Sequence, residues 1–425
     1  AIPAFVVLLV IDVVGMLSPV FFLDWGDAAV AGANIMQLNN TFALGTAAAV
    51  LLSACIVASV AVMVSRSSGR LRASEALVMV VCVVLLLAGD VLNGSSRYSS
   101  FMTDQEVVLS YNLVGSGAYK VISEVQEVRE VRERVRSSAS SPREEVEGAT
   151  SGMWASLDEL ASSEVQNVVL VAVESLGIFQ NSEVMDRLMA PLLGPGLQGR
   201  YQVSSRQLQF DGSTTTAEFR ELCGVGMSYY SEVAEDDLKR CLPWAFRRLG
   251  FHTTAMHGFS RNMFARSEWY PLVGFDKMLF AEDMFRSGYD VTCGGAYRGV
   301  CDTEVARLLA DEIGSEEGRR FVYWLTLNSH LPVAEATAMD VDFECEGLDV
   351  LAAYRDVCLL TKVLYGVLSS IAEIAANPAL PPTHFIVVGD HSPHFFGQAK
   401  RRLFVEGEVP VVELAPRMIG NRNEP

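Results

Sequence analysis

The sequence predicts an α/β domain with a mainly parallel sheet, preceded by an N-terminal region of transmembrane helices. Three long apolar runs occupy most of the first 93 residues. From Asn167 onward, short apolar runs alternate with segments of helical periodicity, which is typical of a parallel sheet covered by helices. The chain has 425 residues and a mean hydropathy of +0.26, a high value for a protein that lies wholly in water.

The three apolar runs predict membrane-spanning helices. They cover Ile2–Leu23, Thr41–Val64 and Ala76–Leu92. Each is close to the length of about 20 residues that spans a bilayer, and no basic segment precedes the first run, which disfavours a signal peptide. Arg66, Arg70 and Arg72 separate the second and third runs, so this loop is expected in the cytoplasm and the residues after 93 on the opposite side. The missing initiator Met indicates that upstream residues were removed.

Three regions are expected along the chain. Residues 1–93 form the transmembrane region, residues 94–160 a connector, and residues 161–425 a large α/β domain outside the cytoplasm. Within the connector, valines recur at steps of three and four from Tyr119 to Arg136, with Glu and Arg on the remaining faces, which predicts an amphipathic helix. The small residues of Ser137–Pro142 predict a linker after this helix.

Charge and cysteine content limit the partners and the compartment. The net charge of −18 disfavours a nucleic-acid partner, which would require a basic surface. Two of the eight cysteines, Cys55 and Cys82, fall in the predicted spans. The other six are Cys223, Cys241, Cys293, Cys301, Cys345 and Cys358. Their even number fits an oxidising compartment, and their spacing favours disulfides 223–241, 293–301 and 345–358, although six cysteines can pair in many other ways.

Four apolar runs of the large domain predict buried strands, and each is followed by polar residues. The runs are Asn167–Val173, Phe251–Met256, Phe321–Leu327 and Thr383–Val388, and Tyr354–Ala376 predicts a long amphipathic helix between the last two. The polar residues that follow include Glu174, His257, His330, Asp390, His391 and His394. Because ligands bind beyond the carboxyl ends of the strands in open α/β sheets, these side chains are expected to share one site.

Asp390 and His391 form the strongest single signal of a metal site. Adjacent Asp and His after a buried strand can offer an oxygen and an imidazole nitrogen to one divalent cation, and Glu174 can add a third ligand. A fourth oxygen is available from the threonine cluster Thr214–Thr216, which follows a glycine turn and precedes a helical pattern. Such threonines ordinarily cap the helix. A Zn or Mn ion in this shell would instead lower the pKa of a threonine hydroxyl and activate it as a nucleophile.

These motifs resemble the lipoteichoic acid synthase, phosphoglycerol transferase and phosphoethanolamine transferase branch of the alkaline phosphatase and sulfatase superfamily, whose members are anchored in membranes. The matching segments, in the family's order, are Val-Glu174-Ser, Gly-Ser-Thr214-Thr-Thr-Ala-Glu-Phe, His257-Gly with Arg266 and Gly274-Phe-Asp276, Asn328-Ser-His330 and Gly-Asp390-His391. They cover roughly residues 165–395. The resemblance implies an alkaline-phosphatase/sulfatase-like sandwich around the mainly parallel sheet.

The resemblance implies a nucleophile and a metal shell. Thr214 would be the nucleophile, with Thr215 and Thr216 left as helix caps. The implied metal ligands are Glu174, Thr214, Asp390 and His391. They would hold one divalent ion, Mn or Zn, with a second metal ion left open.

Four further residues are implied on the substrate side. Arg266 and His330 would contact the substrate phosphate and its head group. His257 would contact the substrate or support its loop, and His394 would stand behind the ligands or bind a second metal. The chain departs from lipoteichoic acid synthases at Phe264, where they carry tryptophan.

The implied activity is metal-dependent transfer of a phosphoglycerol or similar phospho-head group. The donor would be a phospholipid and the acceptor an envelope glycan or lipid, with a phosphothreonine intermediate. The protein would cross the bacterial cytoplasmic membrane several times, with its catalytic domain facing the periplasm or exterior. Glu174-Ser175 resembles the phosphoglycerol branch, whereas six exterior cysteines are more like phosphoethanolamine transferases that act on lipid A or glycans.

Two other functions remain open from the sequence. A sulfatase or phosphodiesterase-type hydrolase is one, but a formylglycine sulfatase requires Cys-x-Pro-x-Arg, and the similar segment Cys241-Leu-Pro243-Trp-Ala245 lacks the arginine. A non-catalytic envelope scaffold with the same fold is the other. The presence of Glu174, Asp390 and His391 favours the enzyme over the scaffold.

Overall fold

A computed structural model describes residues 146–226, 238–295, 297–315, 318–395 and 398–417. Apart from Gln398, these residues belong to one compact unit of the chain, Arg143–Phe395 with Ala399–Pro425. The three predicted membrane spans, the amphipathic connector helix and the linker at Ser137–Pro142 lie outside the described residues. They stay predictions.

The unit alternates short helices with strands. Its helices are α1 (Ser151–Ala155), α2 (Leu157–Ser162), α3 (Ser182–Leu193), α4 (Pro195–Gln198), α5 (Thr214–Cys223), α6 (Leu242–Arg248), α7 (Arg266–Val273), α8 (Ala281–Arg286), α9 (Asp302–Gly314), α10 (Glu335–Ala338), α11 (Asp349–Ala352), α12 (Arg355–Ala376) and α13 (Gln398–Arg401). Its strands are β1 (Asn167–Val173), β2 (Tyr201–Gln209), β3 (His252–His257), β4 (Lys277–Phe280), β5 (Thr292–Cys293), β6 (Gly299–Val300), β7 (Arg320–Leu325), β8 (Thr383–Gly389) and β9 (Glu408–Pro416).

Seven strands form one sheet in the order β2-β9-β8-β1-β7-β3-β4. Strands β8, β1, β7, β3 and β4 are parallel to one another, whereas β9 is antiparallel to β8, and β2, at the sheet edge, is antiparallel to β9. The predicted mainly parallel sheet is therefore confirmed. The short strands β5 and β6 form a separate antiparallel hairpin.

Strand prediction succeeded where the apolar run was continuous. The predicted Asn167–Val173 is confirmed at both ends, and β3, β7 and β8 differ from prediction by one or two residues at their ends. Strand β2 was missed because it lies at the sheet edge, where most of its side chains are exposed and no apolar run forms. Strand β9 contains Pro410, a residue that argues against strand interiors but is tolerated near an edge.

The hydrophobic core lies on both faces of the sheet. Along β1, the side chains of Val169, Val171 and Val173 pack with α3, α9 and α12 on one face. Those of Val168, Leu170 and Ala172 pack with α5, α6 and α7 on the other. A strand buried on both faces reads as a continuous apolar run, which is why the sequence predicts β1 so well.

Helix α12 is the one helix among the described residues whose length and hydropathy would allow it to cross a bilayer. About half of the residues in its most apolar stretch are buried within the unit. Leu360, Leu364 and Leu368 are fully buried in the core against one face of the sheet. This helix therefore covers one face of the sheet. Its bounds and its single buried face agree with the amphipathic helix predicted for Tyr354–Ala376.

Three disulfides connect the cysteines that were predicted to pair locally. They join Cys223 to Cys241, Cys293 to Cys301, and Cys345 to Cys358. The first ties the end of α5 to the residue that precedes α6, and the second closes the β5–β6 hairpin. The predicted pairing is confirmed.

Candidate active site

The carboxyl ends of β1 and β8 bring Glu174, Asp390 and His391 together. The two strands are parallel neighbours in which Val173 is paired with Gly389, so the residues that follow each strand leave the sheet at the same level. A Cβ atom at Gly389 would lie 2.0 Å from the carbonyl oxygen of Leu176, so this close approach requires glycine. The Ser175 amide then donates to Asp390 Oδ1 across 2.8 Å and holds the two loops together.

Thr214 is the first residue of α5, and Ser213 caps the helix. Ser213 has extended backbone angles, and its hydroxyl accepts a hydrogen bond from the Thr216 amide. The predicted capping role of Thr215 and Thr216 is therefore wrong: both residues lie inside the helix, and their hydroxyls lie 3.0 Å from Ser213 Oγ. An N-cap residue needs non-helical backbone angles, which only the residue before the first turn can adopt.

The Thr214 hydroxyl faces the three residues at the sheet edge. Its Oγ1 lies 3.4 Å from Glu174 Oε2 and 3.3 Å from His391 Nε2. His391 Nε2 is in turn 3.5 Å from Glu174 Oε1 and 3.4 Å from Asp390 Oδ2. Ligand atoms of Glu174, Asp390 and His391 all lie within 4.8 Å of one another, and all three side chains are buried. The structure thus brings the predicted metal shell and nucleophile together.

The two buried carboxylates repel each other, and a bound cation would reduce that repulsion. Burial raises the pKa of Asp390 to about 7, and the nearby Glu174 carboxylate adds to the rise. Burial alone would lower the pKa of His391, but the Asp390 and Glu174 carboxylates raise it above its ordinary value. Two carboxyl groups that repel each other in a buried pocket indicate a place for positive charge.

The donor atoms also fit a divalent cation. Asp390 Oδ2 is buried and accepts no hydrogen bond from any described group, which leaves a lone pair for a metal. His391 Nδ1 donates to the Ser392 carbonyl oxygen across 3.0 Å, so Nε2 is the ring nitrogen that faces Thr214 and Glu174 and that would bind a metal once its proton is released. Carboxylate, hydroxyl and imidazole donors together suit Mn or Zn.

Three further histidines follow or end strands of the same sheet, and two of them, His394 and His330, interact with His391. The His394 ring lies 4.5 Å from that of His391, and burial lowers the pKa of His394 to about 2. Burial, assisted by the charge of His391, lowers the pKa of His330 to about 4, and its Nδ1 donates to the Leu331 carbonyl oxygen across 2.8 Å. His257 is buried at the end of β3, where its Nδ1 lies 3.1 Å from the Leu325 carbonyl oxygen. All three are therefore neutral imidazoles at pH 7.

Arg266 lies in a buried cluster with Glu218 and Tyr270. Glu218 Oε2 accepts from Arg266 Nε at 3.0 Å and from Nη2 at 2.8 Å, and the Tyr270 hydroxyl donates to Glu218 Oε1 at 2.5 Å. Burial alone would lower the pKa of Arg266, but the Glu218 carboxylate raises it, so the guanidinium is charged. Its Nη1 is buried and donates to no described group. Arg266 therefore keeps one donor for an anion such as a phosphate.

A second buried arginine contacts the strand that leads into the candidate metal ligands Asp390 and His391. The side chain of Arg220 is fully buried on α5 and donates from Nη2 to the Gly389 carbonyl oxygen at 3.0 Å. Its Nε pairs with Glu221 Oε1 at 2.6 Å, and its guanidinium lies 4.0 Å from the Phe210 ring centroid. Glu221 accepts in addition from the amides of Ala149 and Thr150. One cluster thus joins α5, the end of β8 and the segment before α1.

Sequence reasoning gave no role to Glu218 or Arg220. Both lie on α5, and charged residues on a helix normally face solvent, so their residue type predicts exposed positions. One signal was available: Glu218 follows Thr214 by four residues, so the two share a helix face. Phe264, noted as a departure from the family, lies 5.1 Å from the Arg266 guanidinium.

Cys241 cannot serve as a formylglycine precursor in this structure. Its sulfur is bonded to that of Cys223, and the side chain is buried. Cys241 also precedes α6 directly, whereas the residue at the sheet edge beside Glu174 and His391 is Thr214. The hydroxyl that faces the candidate metal ligands therefore belongs to a threonine.

The chain is similar to three solved bacterial structures. The lipoteichoic acid synthase LtaP from Listeria monocytogenes is 14% identical over 62% of this chain and 72% of its own, with a TM-score of 0.44. The phosphoglycerol transferase GacH from Streptococcus pyogenes, in complex with sn-glycerol-1-phosphate, is 17% identical over 64% and 78%, with a TM-score of 0.43. The lipooligosaccharide phosphoethanolamine transferase EptA from Neisseria meningitidis is 15% identical over 94% and 72%, with a TM-score of 0.49.

Sequence comparison identifies the family. No curated protein sequence matches the chain. The family model named Sulfatase matches residues 166–409, which is more than half of the 425 residues and spans the site from Glu174 to His391. The chain therefore belongs to the sulfatase family.

Proposed function

We propose that this protein is a metal-dependent phosphotransferase that moves a phosphoglycerol, or a similar phospho-head group, from a phospholipid to an envelope glycan or lipid. The observation that carries the proposal is the placement of Thr214 Oγ1, within 3.4 Å of Glu174 Oε2 and of His391 Nε2. Thr214 stands at the N-terminus of a ten-residue helix, which favours a phosphate beside it. In a domain of the sulfatase family, a threonine at the position of Thr214 fits phosphoryl transfer better than sulfate ester hydrolysis.

The proposed metal ligands are Glu174, Thr214, Asp390 and His391. A divalent ion, Mn or Zn, bound by these residues would lower the pKa of the Thr214 hydroxyl and screen the charge of the phosphate. The residues themselves fix the geometry, because the Ser175 amide holds Asp390 and the Ser392 carbonyl orients His391. A second ion near His394 is compatible with the proposal.

The reaction proceeds in two displacements at phosphorus. In the first, Thr214 Oγ forms a bond to phosphorus, the bond from phosphorus to the diacylglycerol oxygen breaks, and the threonine proton passes to that oxygen as diacylglycerol leaves. In the second, an acceptor hydroxyl attacks phosphorus, the bond to Thr214 Oγ breaks, and the acceptor proton returns to the threonine. Water in place of the acceptor would give hydrolysis.

Two side chains are proposed to bind the transferred group. Arg266 keeps the buried donor Nη1, which is suited to a phosphate oxygen. His330 is neutral and donates from Nδ1 to Leu331, so its Nε2 is an acceptor for a hydroxyl of the head group or acceptor. His257 is proposed to support the loop near Arg266. Burial, together with the charge of Arg266, lowers the pKa of His257.

The proposed location is the bacterial cytoplasmic membrane, with several spans before a catalytic domain outside the cytoplasm. The apolar runs before residue 93 and the three disulfides support this placement, since disulfides persist in oxidising compartments. A phosphoethanolamine head group is the second candidate, and the disulfides are the observation that favours it.

The decisive experiment is intact mass spectrometry of the full chain in detergent. After incubation with Mn or Zn and phosphatidylglycerol or phosphatidylethanolamine, we expect a mass increase equal to one phospho-head group, and its value identifies the group. Thr214→Ala should show no adduct and no diacylglycerol release, while Thr216→Ala, two residues further along α5 and outside the proposed metal shell, should retain both. Diacylglycerol release by Thr214→Ala at the parent rate would contradict the mechanism. Absence of bound and exchangeable metal from the parent would favour the scaffold.

A further inference from the structure

The β5–β6 hairpin is wedged between two loops that carry histidines. The Val300 amide donates to the Gly258 carbonyl oxygen at 2.7 Å, and Gly258 is the residue that directly follows His257. On the other side, the Gly295 backbone packs directly against the Pro332 carbonyl oxygen, because a Cβ atom at Gly295 would lie only 2.2 Å from it. Pro332 is two residues after His330. The hairpin therefore touches the loop after β3 and the loop after β7 at once.

The Cys293–Cys301 disulfide closes this hairpin. It joins the end of β5 to the residue after β6, and Gly294 has a positive φ of 101° that lets the chain turn there. The Gly294 amide also donates to Thr337 Oγ1 at 3.1 Å. A two-residue strand pair has little stability of its own, so the covalent link and these outer contacts hold its shape.

Tyr297, in the turn of the hairpin, packs against His330. The two ring centroids are 4.3 Å apart with an interplanar angle of 71°. On its other side the Tyr297 ring meets Phe259 edge to face, with centroids 5.6 Å apart. Both aromatic side chains are buried. The imidazole of His330 is thus restrained by the Tyr297 ring and by the hydrogen bond from Nδ1 to Leu331.

We propose that Tyr297 is a positioning residue for His330, and that the Cys293–Cys301 disulfide holds it in place. This inference rests on the function proposed above, in which His330 binds the head group. The hydrogen bond to Leu331 holds one ring atom, and the Tyr297 ring packed against the imidazole further restricts its rotation about the Cα–Cβ and Cβ–Cγ bonds. The head group thereby meets an acceptor nitrogen in one orientation, which is the requirement for efficient transfer.

Substitutions at Tyr297 separate its ring from its hydroxyl. Tyr297→Phe keeps the ring contact and should retain kcat/KM for the lipid within about twofold, whereas Tyr297→Leu should lower it about tenfold to a hundredfold. In the His330→Ala background, Tyr297→Leu should have no further effect, because a positioning residue acts only through its partner. Independent, multiplicative losses in the double variant would overturn the proposal.

A substrate without a head group distinguishes mispositioning from collapse of the metal centre. Tyr297→Leu should hydrolyse bis(4-nitrophenyl) phosphate at the parent rate, since this diester has no glycerol or ethanolamine for His330 to bind. A parallel loss on both substrates would show that Tyr297 supports the fold and would refute the positioning role.

The disulfide is tested against a matched control in the same chain. Cys293→Ser/Cys301→Ser should reproduce the selective loss of lipid transfer seen in Tyr297→Leu. Cys345→Ser/Cys358→Ser removes a disulfide outside the hairpin, which joins the segment before α11 to α12, and should leave transfer close to the parent level. Equal losses in the two double variants would contradict the role of the hairpin.

A spectroscopic readout keeps this inference separable from the proposed function. In the full chain labelled with ¹³C-histidine, the His330 ring resonance should shift in Tyr297→Leu and stay in place in Tyr297→Phe, because the tyrosine ring current acts at this distance. If the parent transfers neither lipid head group, the proposed function fails, while the resonance still decides whether Tyr297 orients His330. An unmoved resonance in Tyr297→Leu would overturn the inference by itself.

Discussion

Arg220 Nη2 donates to the Gly389 carbonyl oxygen across 3.0 Å, so the helix that begins at Thr214 is tied to the strand that leads into Asp390. The same guanidinium pairs with Glu221, whose carboxylate accepts the amides of Ala149 and Thr150. One buried cation therefore links the helix that carries the proposed nucleophile to the strand that carries the proposed metal ligands.

Arg220→Lys should weaken both folding and metal binding. Lysine keeps the charge but cannot reach Glu221 and Gly389 together, so we expect a loss of about 2 kcal/mol in the free energy of unfolding and about tenfold in metal affinity. Chemical denaturation and metal titration of the solubilised chain measure the two effects. Arg200→Lys is the control, because Arg200 also donates to a carbonyl oxygen but at an exposed site. Equal effects of the two substitutions would contradict the role assigned to Arg220.

Metal binding should stabilise the chain more strongly as pH rises. Burial and the Glu174 charge raise the pKa of Asp390 to about 7 from 3.8, so the metal-free folded chain holds a proton that the unfolded chain has already released. The metal-free chain therefore loses stability as pH rises from about 4 to about 7, and metal binding displaces that proton. The rise in Tm on adding Mn or Zn should be larger at about pH 8 than at about pH 5. Thermal unfolding at both pH values is the measurement, and an equal rise at both would contradict this assignment of Asp390.

Glu218→Gln should destabilise the chain by about 3 kcal/mol. The substitution leaves Arg266 as a buried cation without its counter-charge, and such uncompensated charges are among the most costly changes in proteins. Glu183→Gln removes an exposed ion pair with Arg187 and should change stability by less than about 0.5 kcal/mol. Chemical denaturation of the two variants compares them directly. A Glu218→Gln variant as stable as Glu183→Gln would show that Arg266 does not depend on this carboxylate.

Peptide mapping should recover Cys241 bonded to Cys223. The structure places these sulfur atoms in a disulfide, so a digest without reductant should contain a linked pair of peptides that separates on reduction. A formylglycine at position 241 would instead give a peptide lighter than the cysteine form and unaffected by reductant. Its detection would support sulfatase chemistry and contradict the phosphothreonine mechanism.

The ligands of the candidate metal site could be predicted from sequence because each follows a strand end. Apolar runs mark β1 and β8, and the residues after parallel neighbouring strands meet at one edge of the sheet. The choice of Thr214 among three threonines came from the family resemblance, and the structure places its hydroxyl toward Glu174 and His391. The helix cap was predicted at Thr215 and Thr216 but lies at Ser213, since capping depends on backbone angles that the residue type alone does not set.

The contacts that support the site could not be predicted from the sequence. Glu218 and Arg266 are 48 positions apart, and Arg220 and Gly389 are 169 apart. A charged residue on a helix reads as exposed unless its distant partner is known. Tyr297 was overlooked for the same reason, because its neighbour His330 belongs to another loop.

The sequence by itself predicted the parallel sheet and the polar residues at its strand ends, because hydrophobic periodicity and strand-end motifs are local properties. Cysteine spacing favoured the three local disulfides, and the family resemblance singled out Thr214 and Arg266. The transmembrane region stays a prediction from the same kind of pattern. Only the tertiary structure decided that the hydroxyl of Thr214 reaches the centre, that Arg266 is neutralised by Glu218, and that Tyr297 restrains His330. Buried charges and rings obtain their partners from packing between distant segments, so their roles exist only once the sheet and its helices have assembled.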